Sequence, residues 1–167
     1  IDRANRILPF EDLDIANMVS TNLEKCGVTI HHDASLVRME IVEGEVEYEI
    51  EYSNGAKEII RVEKALLSIG RQPNIESVGM ENVGLKLGKR GVHIGDDDTV
   101  TNVPNIFAVG DVSGRIALVN VGEIEARQAI EKIYANKKER LSYDNVSTIM
   151  FLKPEVASVG LNEQDCI

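Results

Sequence analysis

The sequence is short of basic residues, of cysteine and of long apolar runs, and each shortage excludes something. Lys and Arg total 18 against 28 Asp and Glu, a formal net charge of −10 over 167 residues. A surface of that sign repels phosphate backbones and anionic lipids, which argues against a nucleic-acid or membrane partner. Cysteine occurs twice, as Cys26 and Cys166, far apart in the chain. The two form neither a CxxC redox pair nor a metal-ligand cluster, so a reducing cytoplasm is the expected compartment. No apolar run approaches the ~20 residues of a membrane span, and the residues after Ile1 do not read as a signal peptide. There is no internal repeat and no low-complexity tract. What remains is a chain that is 43% hydrophobic and 28% charged, too apolar for disorder and long enough for a packed core. It opens on Ile1 rather than methionine, and Asn162–Ile167 reads as a helix cut short, so a piece of a longer polypeptide is expected.

The pattern of apolar residues divides the chain into helical and extended stretches. Leu13, Ile15, Ala16, Val19, Leu23 and Cys26 follow a helical stripe, with Asp12 and Asp14 at the positive end and Lys25 near the other. Gly27 supplies the stop, and a short strand is expected over Val28 to His31. From Ser35 to Val62 the period falls to two, with turns at Glu43-Gly44-Glu45 and Ser53-Asn54-Gly55. Val46, Tyr48, Ile50 and Tyr52 alternate there with Glu45, Glu47, Glu49 and Glu51, which predicts an antiparallel meander with a wet acidic face. Lys64 to Ile69 and Ile106 to Val109 are nearly continuous apolar runs, as strands buried on both faces require. Between them lie a glycine-rich loop region and a short strand expected at Val92-His93-Ile94. A helix is predicted from Leu118 to Ala135, with Val121, Ile124, Ala129, Ile130 and Ile133 on its apolar side. Lys137 to Arg140 form a polar linker, and a last strand follows near Val146 to Leu152.

Two of these runs end in a glycine and a polar residue, Ile69-Gly70-Arg71 and Val109-Gly110-Asp111. In open α/β sheets ligands collect at the carboxyl ends of strands. Glycine lets a ligand approach the backbone there, and a following acid accepts bonds from sugar or polyol hydroxyls. Each feature alone is an ordinary turn. Their context is more specific. Arg6-Ile7-Leu8-Pro9, Gly70-Arg71-Gln72-Pro73-Asn74, Thr101-Asn102-Val103-Pro104-Asn105-Ile106-Phe107-Ala108-Val109-Gly110-Asp111 and Phe151 to Gly160 occur in that order. Together they closely resemble the pyridine nucleotide–disulfide oxidoreductase family, most of all its dihydrolipoamide dehydrogenase branch.

The resemblance implies a fold, cofactors and site residues. The fold class is α/β, with partial FAD/NAD(P)-binding Rossmann-like domains, an antiparallel β-meander and the start of an α+β dimerisation domain. Residues 1–100 correspond to the later part of the NAD domain, 101–140 to the returning FAD segment and 141–167 to the beginning of the interface domain. Asp111 matches the acid that bonds the FAD ribityl chain, and Ala117, Leu118, Val119 and Asn120 match the stretch that meets the flavin pyrimidine as a helix begins. Asn120 stands where the family commonly has histidine. Asp2 matches the acid that holds the adenine ribose of NAD, and Leu36 and Gly70 match further NAD contacts. Arg3 falls where NADP-using relatives often carry an arginine, so NADP is not excluded. Arg71 and Asn74 are expected to brace a loop, and His31, His32 and His93 to be structural. Glu123 and Glu125 are expected to make solvated or interdomain contacts rather than to act as bases.

The implied parent passes electrons from dihydrolipoamide through a redox disulfide and FAD to NAD⁺. It is a homodimer and a partner of a lipoyl-bearing dehydrogenase complex. The GxGxxG fingerprint, the CxxxxC disulfide and the His…Glu pair of the family are absent from these residues, so no catalytic residue is assigned and the isolated chain is expected to be inactive. Mercuric reductase, glutathione reductase and transhydrogenase relatives share the same blocks and stand as alternative activities. A non-catalytic nucleotide-binding or interaction module is the alternative of another class.

Overall fold

The computed structural model describes residues 1–88, 91–92, 99–136 and 138–167. Its contacts divide the chain into two compact units, one formed by Ile1–Ser68 with Ile149–Ile167 and the other by Ile69–Thr148.

The first unit opens with the expected helix, α1 (Leu13–Lys25), which buries Ala16 and Val19. Gly27, at φ +89°, takes the left-handed conformation that ends it. A three-stranded antiparallel sheet follows in the order β1 (Ala34–Val42), β2 (Glu45–Tyr52) and β3 (Lys57–Val62). Both hairpins follow from turn chemistry. Glu43 and Gly44 both have positive φ, 53° and 87°, as a type I′ turn demands. At the second, Gly55 N–H bonds the Tyr52 carbonyl at 2.8 Å and Gly55 sits at φ +84°, a three-residue loop with its glycine in the left-handed region. Register slips by one residue between Leu36 and Arg38, leaving Val37 as a bulge.

The acidic face of β2 is less wet than its alternation suggests. Glu47 accepts from Arg61 at 2.9 Å and from Arg38 at 3.0 Å, and Glu49 from Lys57 at 3.0 Å. The cations come from both flanking strands, so the glutamates lie in a cross-strand ladder of ion pairs. Arg61, and after it Arg38, hold the Glu47 carboxyl below its ordinary value against the opposing effect of burial. On the central strand Ile50 is fully buried.

From Ile149, midway along the next strand, the last residues of the chain join this unit. β4 (Ser147–Met150) and β5 (Val156–Val159) pair with each other, and a one-turn helix α3 (Glu163–Cys166) closes the chain. The helix starts are capped reciprocally. Asp12 caps not its own helix but α3, accepting from Glu163 N–H at 2.7 Å, while Gln164 accepts from Leu13 N–H at 3.2 Å. One N–H at each helix start is thus bonded by the other segment, and the Asn162 side chain also caps α3, accepting from Asp165 N–H at 2.8 Å.

The second unit is built around α2 (Val119–Ala135) and two 3₁₀ turns, Met80–Val83 and Gly110–Ser113. The buried side of α2 differs from the apolar stripe expected. Val121 and Ala129 are buried, but Glu125 and Gln128 are buried with them, while Ile124, Ile130 and Ile133 are 38–55% exposed. Hydrophobic periodicity locates a helix but does not choose its inner face when polar partners converge on one side.

Three expected strands are not formed. Val28 to His31 and Lys64 to Ile69 are irregular, and Leu66 and Ile69 are about 90% exposed. Of Ile106 to Val109 only Phe107 is paired, in a single bridge to Val100. A strand needs a neighbour that takes its N–H and C=O groups repeatedly, and among the described residues these runs find at most isolated bonds: Asp2 N–H to the His31 carbonyl, and Ala108 N–H and the Ile106 carbonyl to Thr99 and Thr101. Val92 bridges Leu87, whereas His93 and Ile94 lie outside the described residues, as does Lys137 of the linker.

Candidate functional site

The residues matched to flavin contacts all lie in the second unit, and local chemistry explains how the chain reaches them. Val103-Pro104-Asn105-Ile106 is a β-turn closed by Ile106 N–H on the Val103 carbonyl at 3.2 Å, with Asn105 at φ +69°. Proline at the second position and asparagine at the third suit a type II turn, whose third residue needs positive φ. Thr101 fastens it, its hydroxyl donating to the Ile106 carbonyl at 2.9 Å and accepting from Val103 N–H at 3.1 Å. The returning arm bonds through Ala108 N–H to the Thr99 carbonyl at 2.8 Å and delivers the chain to Gly110.

At Gly110 the backbone turns at φ +72° and crosses α2 at Gly122. A Cβ on Gly122 would stand 3.3 Å from the Gly110 Cα, so two glycines make the crossing possible. Asp111 follows on the 3₁₀ turn, exposed, and its carboxylate makes no hydrogen bond among the described residues. Ala117 is exposed and Leu118 stands at the N-cap of α2. Leucine has no side-chain acceptor, and the first turn holds no acidic residue, so the N–H groups of Val119 and Asn120 are left for another acceptor. The Asn120 side chain is committed elsewhere, donating to the Ser147 carbonyl at 2.9 Å.

The residues matched to NAD contacts are divided. Asp2 and Leu36 are in the first unit and Gly70 in the second. Asp2 is tied by its backbone to His31 and Ala34, at 2.8 and 3.0 Å, which sets it beside the start of β1, two residues before Leu36. One carboxylate oxygen accepts from Ala4 N–H at 2.8 Å; the other has no partner among the described residues. Leu36 is 42% exposed beside the bulge, and Gly70 is exposed at φ +124°. Arg3 is exposed, while Arg6 donates to the Pro9 carbonyl at 2.9 Å. Arg71 and Asn74 are exposed.

Of the solvated and interdomain contacts that the sequence offers for Glu125, the structure excludes the first: the residue is fully buried. One oxygen accepts from Gly110 N–H at 2.5 Å; the other accepts from the Tyr143 hydroxyl at 2.8 Å and lies 3.5 Å from the Ser113 hydroxyl. Beside it, buried Gln128 accepts from Thr99 at 3.3 Å and donates to the Glu139 carbonyl at 3.1 Å. One sequence signal was available: Glu125 sits four residues from both Val121 and Ala129, a carboxylate in a core position. Glu123 is exposed.

His31 bonds the Tyr52 hydroxyl at 2.6 Å, and that hydroxyl donates to Glu58 at 2.7 Å, which raises the Tyr52 phenol above its ordinary value. Cys26 and Cys166 are free and exposed. Among the described residues no group of His, Cys, Asp and Glu is arranged to hold a metal, and no helix is long and apolar enough to cross a membrane.

The chain is mixed α/β with an antiparallel meander, a fold similar to that of flavoprotein disulfide reductases. The pyridine nucleotide-disulphide oxidoreductase family model matches residues 1–126, and the chain belongs to that family. It is 30% identical to the dihydrolipoyl dehydrogenase of Chlorobaculum tepidum over 97% of its own length and 34% of that protein's. It is 33% identical to the dihydrolipoyl dehydrogenase of Geobacillus stearothermophilus, over 98% of this chain and 34% of that one. The chain therefore spans about a third of the curated relatives it matches. Among solved structures it is similar to the Cu(II) complex of the HOCl-induced flavoprotein disulfide reductase RclA from Escherichia coli, with TM-score 0.81, 30% identity and coverage of 99% of this chain and 38% of that one. LpdA from Mycobacterium tuberculosis superposes with TM-score 0.82 at 25% identity, covering 98% of this chain and 35% of that one.

Proposed function

We propose that the chain is an internal part of an FAD-dependent dithiol/disulfide oxidoreductase of the dihydrolipoyl dehydrogenase type, using NAD as acceptor. Residues 1–100 are the later part of its NAD domain, 101–140 its returning FAD segment and 141–167 the start of its dimerisation domain. The whole protein works as a cytoplasmic homodimer and serves a lipoyl-bearing dehydrogenase complex.

The observation that carries this reading is the turn at Gly110-Asp111 beside the start of α2. An exposed carboxylate without a bond of its own stands beside helix N–H groups that no side chain caps. The fit to FAD is chemical. Asp111 accepts from ribityl hydroxyls, and the N–H groups of Val119 and Asn120 favour negative charge on the pyrimidine side of the flavin. Asp2 fits an adenine ribose, because its second oxygen is open to hydroxyls while a 2′-phosphate would be repelled. Leu36 adds exposed apolar surface, and Gly70 lets a cofactor approach its backbone. Bound FAD supplies the two-electron chemistry between dithiol and nicotinamide, and this chain supplies position and electrostatics.

The test begins with the intact mass of the natural polypeptide, expected well above 18.4 kDa. In that protein Asp111→Ala should lose flavin on dialysis; unchanged flavin content would remove the assignment. Steady-state assays should show NAD⁺ reduced with dihydrolipoamide in preference to NADPH-linked turnover of oxidised glutathione or Hg²⁺.

A further inference from the structure

We infer that Glu125 is the positioning residue of the flavin-side turn, fixing Gly110 and through it the direction in which Asp111 is presented. The inference rests on the reading of Asp111 as an FAD contact and extends it to a residue that is fully buried and so has no access to flavin, substrate or solvent.

The geometry is that of a clamp. The 3₁₀ turn Gly110–Ser113 is held at both ends by one carboxylate: Gly110 N–H at 2.5 Å and the Ser113 hydroxyl at 3.5 Å. Asp111 stands between these anchors with its side chain exposed and unbonded. Gly110 is the pivot. At φ +72° it lies where glycine has unusual freedom; the bond to Glu125 fixes the Val109–Gly110 peptide at one end of the turn while Ser113 is held at the other, with Asp111 between them. The same carboxylate accepts from the Tyr143 hydroxyl at 2.8 Å, which ties the turn to the segment after α2. All three groups act as donors to Glu125, and both its oxygens are used. A buried carboxylate is costly unless its acceptor sites are filled, so the donors and Glu125 hold one another in place. A side chain only filling space would require none of this.

The experiment uses the intact protein with Glu125→Leu, Glu125→Gln and Asp111→Ala. FAD affinity is measured by titrating the apoprotein, the bound flavin by its visible spectrum, and the turn by amide hydrogen exchange of the apoprotein. Glu125→Leu strands the Gly110 and Tyr143 donors and should weaken FAD binding by about tenfold or more. It should also shift the flavin spectrum and speed exchange at residues 110–113, leaving exchange in α2 unchanged. Glu125→Gln should restore all three readouts, because its carbonyl accepts from Gly110 and its amide donates to the Tyr143 hydroxyl.

The inference is overturned if Glu125→Leu keeps wild-type affinity, spectrum and exchange while Asp111→Ala loses FAD. If Asp111→Ala also keeps FAD, the flavin reading of the turn fails by itself, and exchange alone then decides for or against the clamp. Should Glu125→Leu not fold, Glu125→Asp takes its place. One methylene shorter, it reaches Gly110 or Tyr143 but not both, and unchanged exchange and FAD affinity in it would equally overturn the inference.

Discussion

Replacing Gly122 by alanine sets two effects of similar size against each other. Inside a helix alanine is favoured over glycine by about 0.8–1.0 kcal/mol, because glycine loses more backbone freedom on folding. Gly122 lies one turn into α2, with its N–H bonded to the Leu118 carbonyl at 3.0 Å, so part of that gain applies. Against it, the new methyl would stand 3.3 Å from the Gly110 Cα, and one backbone must retreat by a few tenths of an ångström. Gly110 is poorly placed to retreat, since Glu125 grips its N–H at 2.5 Å. Overpacking of this kind typically costs ~1–3 kcal/mol. The overpacking wins, for a net destabilisation of about 1 kcal/mol and a fall in Tm of roughly 2–4 °C. Thermal unfolding followed by far-UV circular dichroism checks the sign. Asn17→Ala, on the exposed side of α1, serves as the control and should gain a few tenths of a kcal/mol. If Gly122→Ala raised Tm as the control does, the crossing would not be tight and the argument from it would be refuted.

Three further outcomes follow from the same geometry. Gly91→Ala should cost about 3 kcal/mol, because its Cβ would fall 2.3 Å from the Val112 carbonyl oxygen that Val92 N–H now bonds at 2.8 Å; a urea midpoint equal to wild type would contradict this. Ile50→Ala empties a fully buried position on the central strand and should cost ~2–5 kcal/mol, read from denaturant curves at unchanged slope. Because Arg61 and Arg38 lower the Glu47 pKa, that carboxylate adds stability above its ordinary value of 4.5, lost as pH falls through the folded value. Arg61→Ala should therefore lose more stability at pH 7 than at pH 3, and an equal loss at both would remove Arg61 as the cause.

How much was legible in the sequence depended on how local the determining physics is. The meander could be read because alternation and turn chemistry act over a few residues: Glu43-Gly44 and Asn54-Gly55 are hairpin turns wherever they stand between alternating strands. Both long helices were visible for the same reason, from their apolar period and, for α1, its glycine stop. The apolar runs 64–69 and 106–109 were misread because a run states only that a segment can be buried. Whether it pairs depends on neighbours distant in sequence. The order of short blocks made the family legible, whereas the burial of Glu125 was not, because its partners, Gly110, Ser113 and Tyr143, approach it from both directions along the chain.

By itself the sequence determined the family, the meander and the helices, since all of these lie in short stretches whose chemistry is complete within them. Only the tertiary structure decided which side of α2 is inside. It buried a glutamate and a glutamine there in preference to three isoleucines, because backbone and hydroxyl donors converge on that side. A carboxylate surrounded by donors is more stable buried than any pattern of hydrophobicity along one helix can indicate.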